Sequence, residues 1–236
     1  MLDARRHRLI ATGVAVVVLA LGPAGLAAAR PARPPAPRDP VLLVHGFTGS
    51  PSNWDVLRAR LRAAGYRDRE VEAISYDSDE TIPQIAGEVR AAADALLART
   101  GKQRLDVVSH SMGAPSTRYY VEELGGARKV DAWVSLAGAN DGTYVAYACL
   151  AYRSCADMEP GSAVLTRLDR DLRTDGRVRF GAWWSPCDVI IVPTSSARLA
   201  GARNTETGCL DHAGVLTDPT VLAQVQRFIA LPHRPG

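Results

Sequence analysis

Short apolar runs alternate with helical stripes from Val41 onward. Val41 to Val44 is continuously apolar, as a parallel strand buried on both faces requires. Trp54, Leu57 and Leu61 then recur at helical spacing. Val71 to Tyr76 reads as a short strand. Ile82, Ile85, Ala86, Val89, Ala93 and Leu96 share one helical face that Gly101 ends. Leu105, Val107 and Val108 close another buried strand, Pro115 to Leu124 is helical up to Gly125-Gly126, and Val130 to Leu136 is a further strand. From Gly138 to Asp175 the pattern is irregular, with a helix resuming over Ser162 to Leu172. Arg177 to Pro186 alternates, and a last helix runs roughly from Pro219 to Ile229. This rhythm predicts an α/β protein with a mostly parallel sheet of about six strands and helices on both faces.

The N-terminal segment follows a different logic. Arg5, Arg6 and Arg8 precede an uncharged apolar core from Leu9 to Leu21, and Ala27 and Ala29 supply a small-x-small cleavage site. The apolar core falls short of the roughly 20 residues that span a bilayer, so residues 1–29 read as a cleaved signal peptide and the protein as secreted. Residues 30–40, RPARPPAPRDP, form a Pro-rich linker of polyproline II character, which leaves residues 41–236 as one domain. The formal net charge is +3, with much of it in the leader, and aromatic residues do not interleave with basic clusters. Nucleic acid is therefore not expected as a partner.

Chemistry concentrates in LDVVSHSMG, Leu105 to Gly113. A strand stops at Ser109, Ser111 sits between His110 and Met112, and a helical pattern follows. That is the layout of a nucleophile elbow, with small residues two before and two after the serine. The elbow usually has glycine at both places, whereas here they are Ser109 and Gly113. The loop His45-Gly46-Phe47 after the first strand is placed to offer a second oxyanion donor, so the backbone amides of Phe47 and Met112 form the expected pair. His45 itself reads as a structural support of that loop.

Asp188 leaves the end of a late strand, where a carboxylate can orient a histidine. His212 is the best base by elimination: His7 lies in the leader, His45 and His110 belong to loop and elbow, and His233 sits in the tail. Ser111, Asp188 and His212 occur in the order serine, acid, histidine found on α/β-hydrolase scaffolds. The implied reaction is attack of Ser111 on an ester carbonyl, with no metal or organic cofactor. Tyr144, Tyr147, Leu150 and Tyr152 either line an acyl pocket or pack over the sheet. Four cysteines in an exported chain favour disulfides. Cys149 with Cys155 closes a local loop, and Cys187 with Cys209 joins two loops that a triad needs side by side. No Cys/His spacing suggests zinc.

VLLVHGFTGSPSNW, VVSHSMGAPSTRYY, SLAGANDGT and CDVIIVPTSSARL followed by DHAGVL together resemble the small secreted bacterial triacylglycerol lipases of the class 2 type, especially those of actinomycetes. The resemblance spans nearly all of Val41 to Ile229. It implies a compact α/β-hydrolase with a minimal lid, acting on acylglycerols and small esters. A transient lipid interface and a monomeric state are expected. Two departures stand out: Ser109 replaces the usual Ala or Gly, and Asp141 in ANDGT stands where many relatives carry His. An acyltransferase or a cutinase-like polyesterase would use the same triad, and a non-catalytic binding protein on this fold should have lost part of it.

Overall fold

A computed structural model describes residues 38–168 and 176–232 of the chain. The expected signal peptide, most of the Pro-rich linker and the end of the helix expected to reach Leu172 lie outside the described residues. The strands are β1 (Val41–Val44), β2 (Val71–Ala73), β3 (Leu105–His110), β4 (Val130–Leu136), β5 (Arg179–Trp184) and β6 (Arg203–Glu206). They form one sheet in the order β2-β1-β3-β4-β5-β6, and every pairing is parallel. The helices are α1 (Asp55–Ala63), α2 (Ile82–Thr100), α3 (Gly113–Glu123), α4 (Arg153–Asp157), α5 (Ala163–Leu168) and α6 (Pro219–Ile229).

Alternation along β1 divides the core in two, because successive strand side chains point to opposite faces. Leu42 and Val44 join Val107, Trp133 and the apolar stripe of α2 on one side. Val41 and Leu43 join Val108, Val134, Trp54 and Leu57 on the other, where Val221, Leu222, Val225 and Phe228 of α6 close the layer. Each buried aliphatic or aromatic side chain stabilises this arrangement by about 1.5–3 kcal/mol. The sheet is therefore a rigid platform, and its loops inherit fixed positions. The helices end on local signals as well. Thr81 caps α2 by accepting a hydrogen bond from Gln84 N, and left-handed Gly101 ends it. Asp218 caps α6 through the amides of Thr220 and Val221.

Three details differ from the sequence expectation. The strand read as Val71 to Tyr76 stops at Ala73, although Ile74 and Tyr76 remain buried. The chain turns there so that the Tyr76 ring can stack on His45 instead of continuing along the edge. The irregular stretch after β4 contains a 3₁₀ turn, Tyr144–Cys149, as well as α4. Finally, β6 has the polar sequence RNTE and carries no hydrophobic alternation. It is an edge strand with mostly exposed side chains, so backbone pairing to β5 defines it while its side chains do not.

Candidate active site

β3 delivers the serine. Ser111 follows its last residue with φ 54°, a left-handed conformation that strains any residue with a Cβ, by about 1–3 kcal/mol. The turn is held from both sides: the Ser111 amide donates to Leu136 O at 3.1 Å, and Ala114 N and Ala139 N donate to Ser111 O at 3.0 and 3.3 Å. Gly113 lies so close to β1 that a Cβ there would meet the carbonyl oxygens of His45 and Val44 at 2.5 and 2.6 Å. Ser109 is fully buried and satisfied, because its hydroxyl donates to Val134 O at 2.8 Å. Replacing the usual smaller residue thus adds a bond to β4 without forcing the turn apart.

β5 delivers the acid and the loop after β6 delivers the base. His212 Nε2 lies 2.9 Å from Ser111 Oγ, and His212 Nδ1 lies 2.8 Å from Asp188 Oδ2. Asp188 Oδ1 accepts from the amides of Ile190 and Ile191 at 2.8 and 3.0 Å. Burial pushes the Asp188 carboxyl pKa upward, but the His212 hydrogen bond and charge and these amides outweigh it and hold the group below its ordinary value. An ionised carboxylate only accepts, so His212 Nδ1 must donate to it. Nε2 of the neutral ring is then the acceptor for the serine hydroxyl. This is the donor–acceptor chain through which a serine proton passes to histidine.

The structure therefore brings Ser111, Asp188 and His212 together, and it joins Cys149 to Cys155 and Cys187 to Cys209. The second bridge links the residue before Asp188 to the loop that carries His212. Asp141 is exposed and its backbone is tied to Ser196 O, outside the three-residue chain just described. A Cβ on Gly46 would meet Ser111 Cβ at 2.7 Å and Oγ at 3.2 Å, so the loop holding Phe47 runs directly against the serine. Met112 is the N-cap of α3. Tyr144, Tyr147, Leu150 and Tyr152 stand at the surface above the sheet. All four are exposed, with the Tyr152 ring edge-on to Phe47 at 4.9 Å. Val189 and Ile190, beside the acid, are exposed too.

Several supports have no signature in the sequence. Ser185 Oγ accepts from Cys187 N and Leu210 N and donates to Leu210 O at 2.6 Å, which clamps the acid loop to the base loop. Thr143 Oγ1 donates to Ile190 O at 2.5 Å and accepts from Val192 N at 3.0 Å, fixing the far side of the acid loop. His110 Nε2 lies 2.9 Å from His212 O and donates to it. Burial, and secondarily the neighbouring His212, lower the His110 pKa to about 3, so the ring is neutral. His45, unlike these, is readable from the sequence as a support of its loop: it stacks on Tyr76 at 4.2 Å and its Nδ1 donates to Gly46 O at 2.8 Å, beside the serine.

A parallel sheet with a strained serine after its third strand, and an acid and a histidine arriving from later strands, defines an α/β-hydrolase. The class 2 lipase family matches residues 38–205, and the chain belongs to that family. It is accordingly a carboxylic ester hydrolase. The match stops short of His212, whose placement rests on the distances above. Solved structures share the fold at low identity. The mature form of the Bacillus licheniformis lipase BlEst2 superposes with a TM-score of 0.71 at 14% identity, covering 84% of this chain and 94% of that one. Aspergillus fumigatus lipase B gives 0.68 at 18% identity, covering 83% and 53%. The lin2722 product of Listeria innocua gives 0.62 at 14%, covering 82% and 94%.

Proposed function

We propose that the protein is a secreted serine lipase or esterase that cleaves acylglycerols and small carboxylic esters through an acyl-serine intermediate. The observation that carries this reading is the continuous contact from Ser111 Oγ through His212 to Asp188, at 2.9 and 2.8 Å. His212 takes the Ser111 proton as the oxygen attacks the ester carbonyl, and Asp188 stabilises the imidazolium that forms. The proton then passes from His212 Nε2 to the departing alcohol. Water, deprotonated by the same nitrogen, attacks the acyl-serine and releases the acid.

The amides of Phe47 and Met112 are the proposed oxyanion donors. The close approach of the Gly46 backbone to Ser111 and the position of Met112 at the start of α3 support that assignment. The exposed apolar side chains Tyr144, Tyr147, Leu150, Val189 and Ile190 support transient contact with a lipid interface. Disulfides favour an oxidising compartment, which agrees with secretion. The test is a p-nitrophenyl ester series of increasing acyl length on wild type and Ser111→Ala. The variant should keep its melting temperature and lose about 10⁴-fold or more in kcat. Undiminished turnover by Ser111→Ala would remove the assignment.

A further inference from the structure

We propose that Ser78 is a positioning residue for ester cleavage, which holds the loop carrying the Phe47 amide in the form the oxyanion needs. This rests on the reading of Ser111 as nucleophile and Phe47 as oxyanion donor. The loop after β1 is a tight turn, closed by Gly49 N donating to Gly46 O at 3.0 Å. Thr48 takes its third place with φ 52°. A β-branched residue in the left-handed region is strained, and such a conformation persists only where its surroundings hold it. The Thr48 amide donates to Ser78 Oγ at 2.8 Å, and Ser78 is buried. That bond fixes the peptide plane next to the one bearing the Phe47 amide. Two residues before Ser78, the Tyr76 ring stacks on His45 and its hydroxyl donates to His45 O. The segment leaving β2 therefore grips the loop on both sides of Gly46 and Phe47.

Ser78 is itself held in place. The buried Ser154 hydroxyl donates to Ser78 O. Arg153 N and Nε donate to Asp79 Oδ1 and Asp79 O at 3.3 and 3.0 Å, and Asp157 Oδ2 accepts from Ile82 N at 2.7 Å. Arg153, Ser154 and Asp157 all belong to α4, whose Cys155 is bridged to Cys149. Tyr152, just before α4, meets the Phe47 ring edge-on at 4.9 Å. The disulfide-bonded segment thus reaches the loop by two routes, through the Phe47 side chain and, by way of Ser78, through the Thr48 amide. A loop gripped by side chain and backbone is set before substrate arrives, and donors fixed in advance stabilise developing charge without reorganising. Without the Ser78 acceptor, Thr48 would relax out of its left-handed conformation and the Phe47 amide would shift with the turn.

Kinetics with a soluble p-nitrophenyl ester and inhibition by an alkylboronic acid test this on the full folded protein. In the inhibited enzyme Ser111 Oγ bonds to boron and its proton passes to His212, leaving a tetrahedral anion that needs the same donors as the oxyanion. Ser78→Ala should lower kcat about ten- to a hundredfold, less than the roughly 10²–10³ of losing a donor outright. KM should stay within about twofold, and boronic acid binding should weaken by a factor similar to the loss in kcat. Ser78→Thr, which keeps an acceptor oxygen, should recover most of both. Ser154→Ala removes the grip on Ser78 O and should show the same pattern at about threefold; it decides the matter if Ser78→Ala does not fold. Unchanged kcat in folded Ser78→Ala would overturn the proposal. So would a lowered kcat with undiminished boronic acid binding, because the damage would then lie outside the oxyanion loop. In either case, wild-type turnover that Ser111→Ala abolishes leaves the nucleophile assignment standing. Turnover that Ser111→Ala retains removes that assignment, and the role of Ser78 with it.

Discussion

The two ends of the sheet use polar groups in opposite ways. At the C-terminal ends of the strands, Ser111, His212 and Asp188 are linked one to the next, each satisfied, in a setting left partly open beside exposed apolar loops. At the N-terminal ends, Asp106, Asp131 and Arg179 are sealed among the starts of β3, β4 and β5, and one carboxylate oxygen has no hydrogen-bond partner. The same strands fix both sets. The difference is that the first end stores strain, in the φ of Ser111, and the second stores charge. Strain there exposes a hydroxyl for chemistry, while charge at the other end bears on whether the strands hold together.

That contrast breaks most sharply at the acid. Asp188→Asn preserves shape but lets an amide NH₂ face His212 Nδ1, which favours the wrong tautomer. Ester turnover should fall about 10⁴-fold with melting nearly unchanged. Parallel loss of activity and stability would show that the two ends are not separable. The converse experiment is Arg179→Met, which leaves Asp131 without its closest guanidinium. Denaturant unfolding should report a loss of about 3–5 kcal/mol, with turnover per folded molecule unchanged.

His110 sits between the two behaviours, since it is buried charge-sensitive structure beside the reacting groups. Its folded pKa of about 3 lies below its ordinary value of 6.5, so between these limits the unfolded chain binds more protons. Stability contributed by the neutral ring is complete above about pH 6.5 and is lost as pH falls toward 3. His110→Gln can still donate to His212 O but does not titrate, and its melting temperature should decline less steeply over that window. Equal slopes in thermal scans would exclude His110 as a source of acid lability. The smallest effect concerns the open rim. Tyr147→Ser with Val189→Ser should leave a soluble short-chain ester unaffected and slow hydrolysis of an emulsified triacylglycerol several-fold, read by acid release in a titration cell.

Much of the platform was legible from periodicity. Strands β1, β3, β4 and β5 and helices α1, α2, α3 and α6 lie where apolar spacing places them, because each buries a continuous run or stripe. β6 was invisible since an edge strand of sequence RNTE is specified by its neighbour's hydrogen bonds. The rim tyrosines were ambiguous for a related reason: spacing shows that Tyr144 and Tyr147 share a loop, but exposure depends on what packs above them.

The chemistry-bearing residue types and their order along the chain were readable locally. Elbow, acid, base and the glycine beside the first strand are each announced by the segment that holds them. Their convergence was not. Asp188 and His212 meet because Ser185 clamps Leu210, and Thr143 fixes Ile190, through contacts between distant segments. The sequence by itself determined the alternation of strands and helices and the set of groups able to react, since those follow from local hydrophobic spacing and turn sterics. Only the tertiary structure decided how closely His212 meets the serine, which oxygen of Asp188 faces the His212 ring, and that three aspartates gather at the far end. Those facts depend on strand order and register, which arise when the whole sheet closes on its two cores.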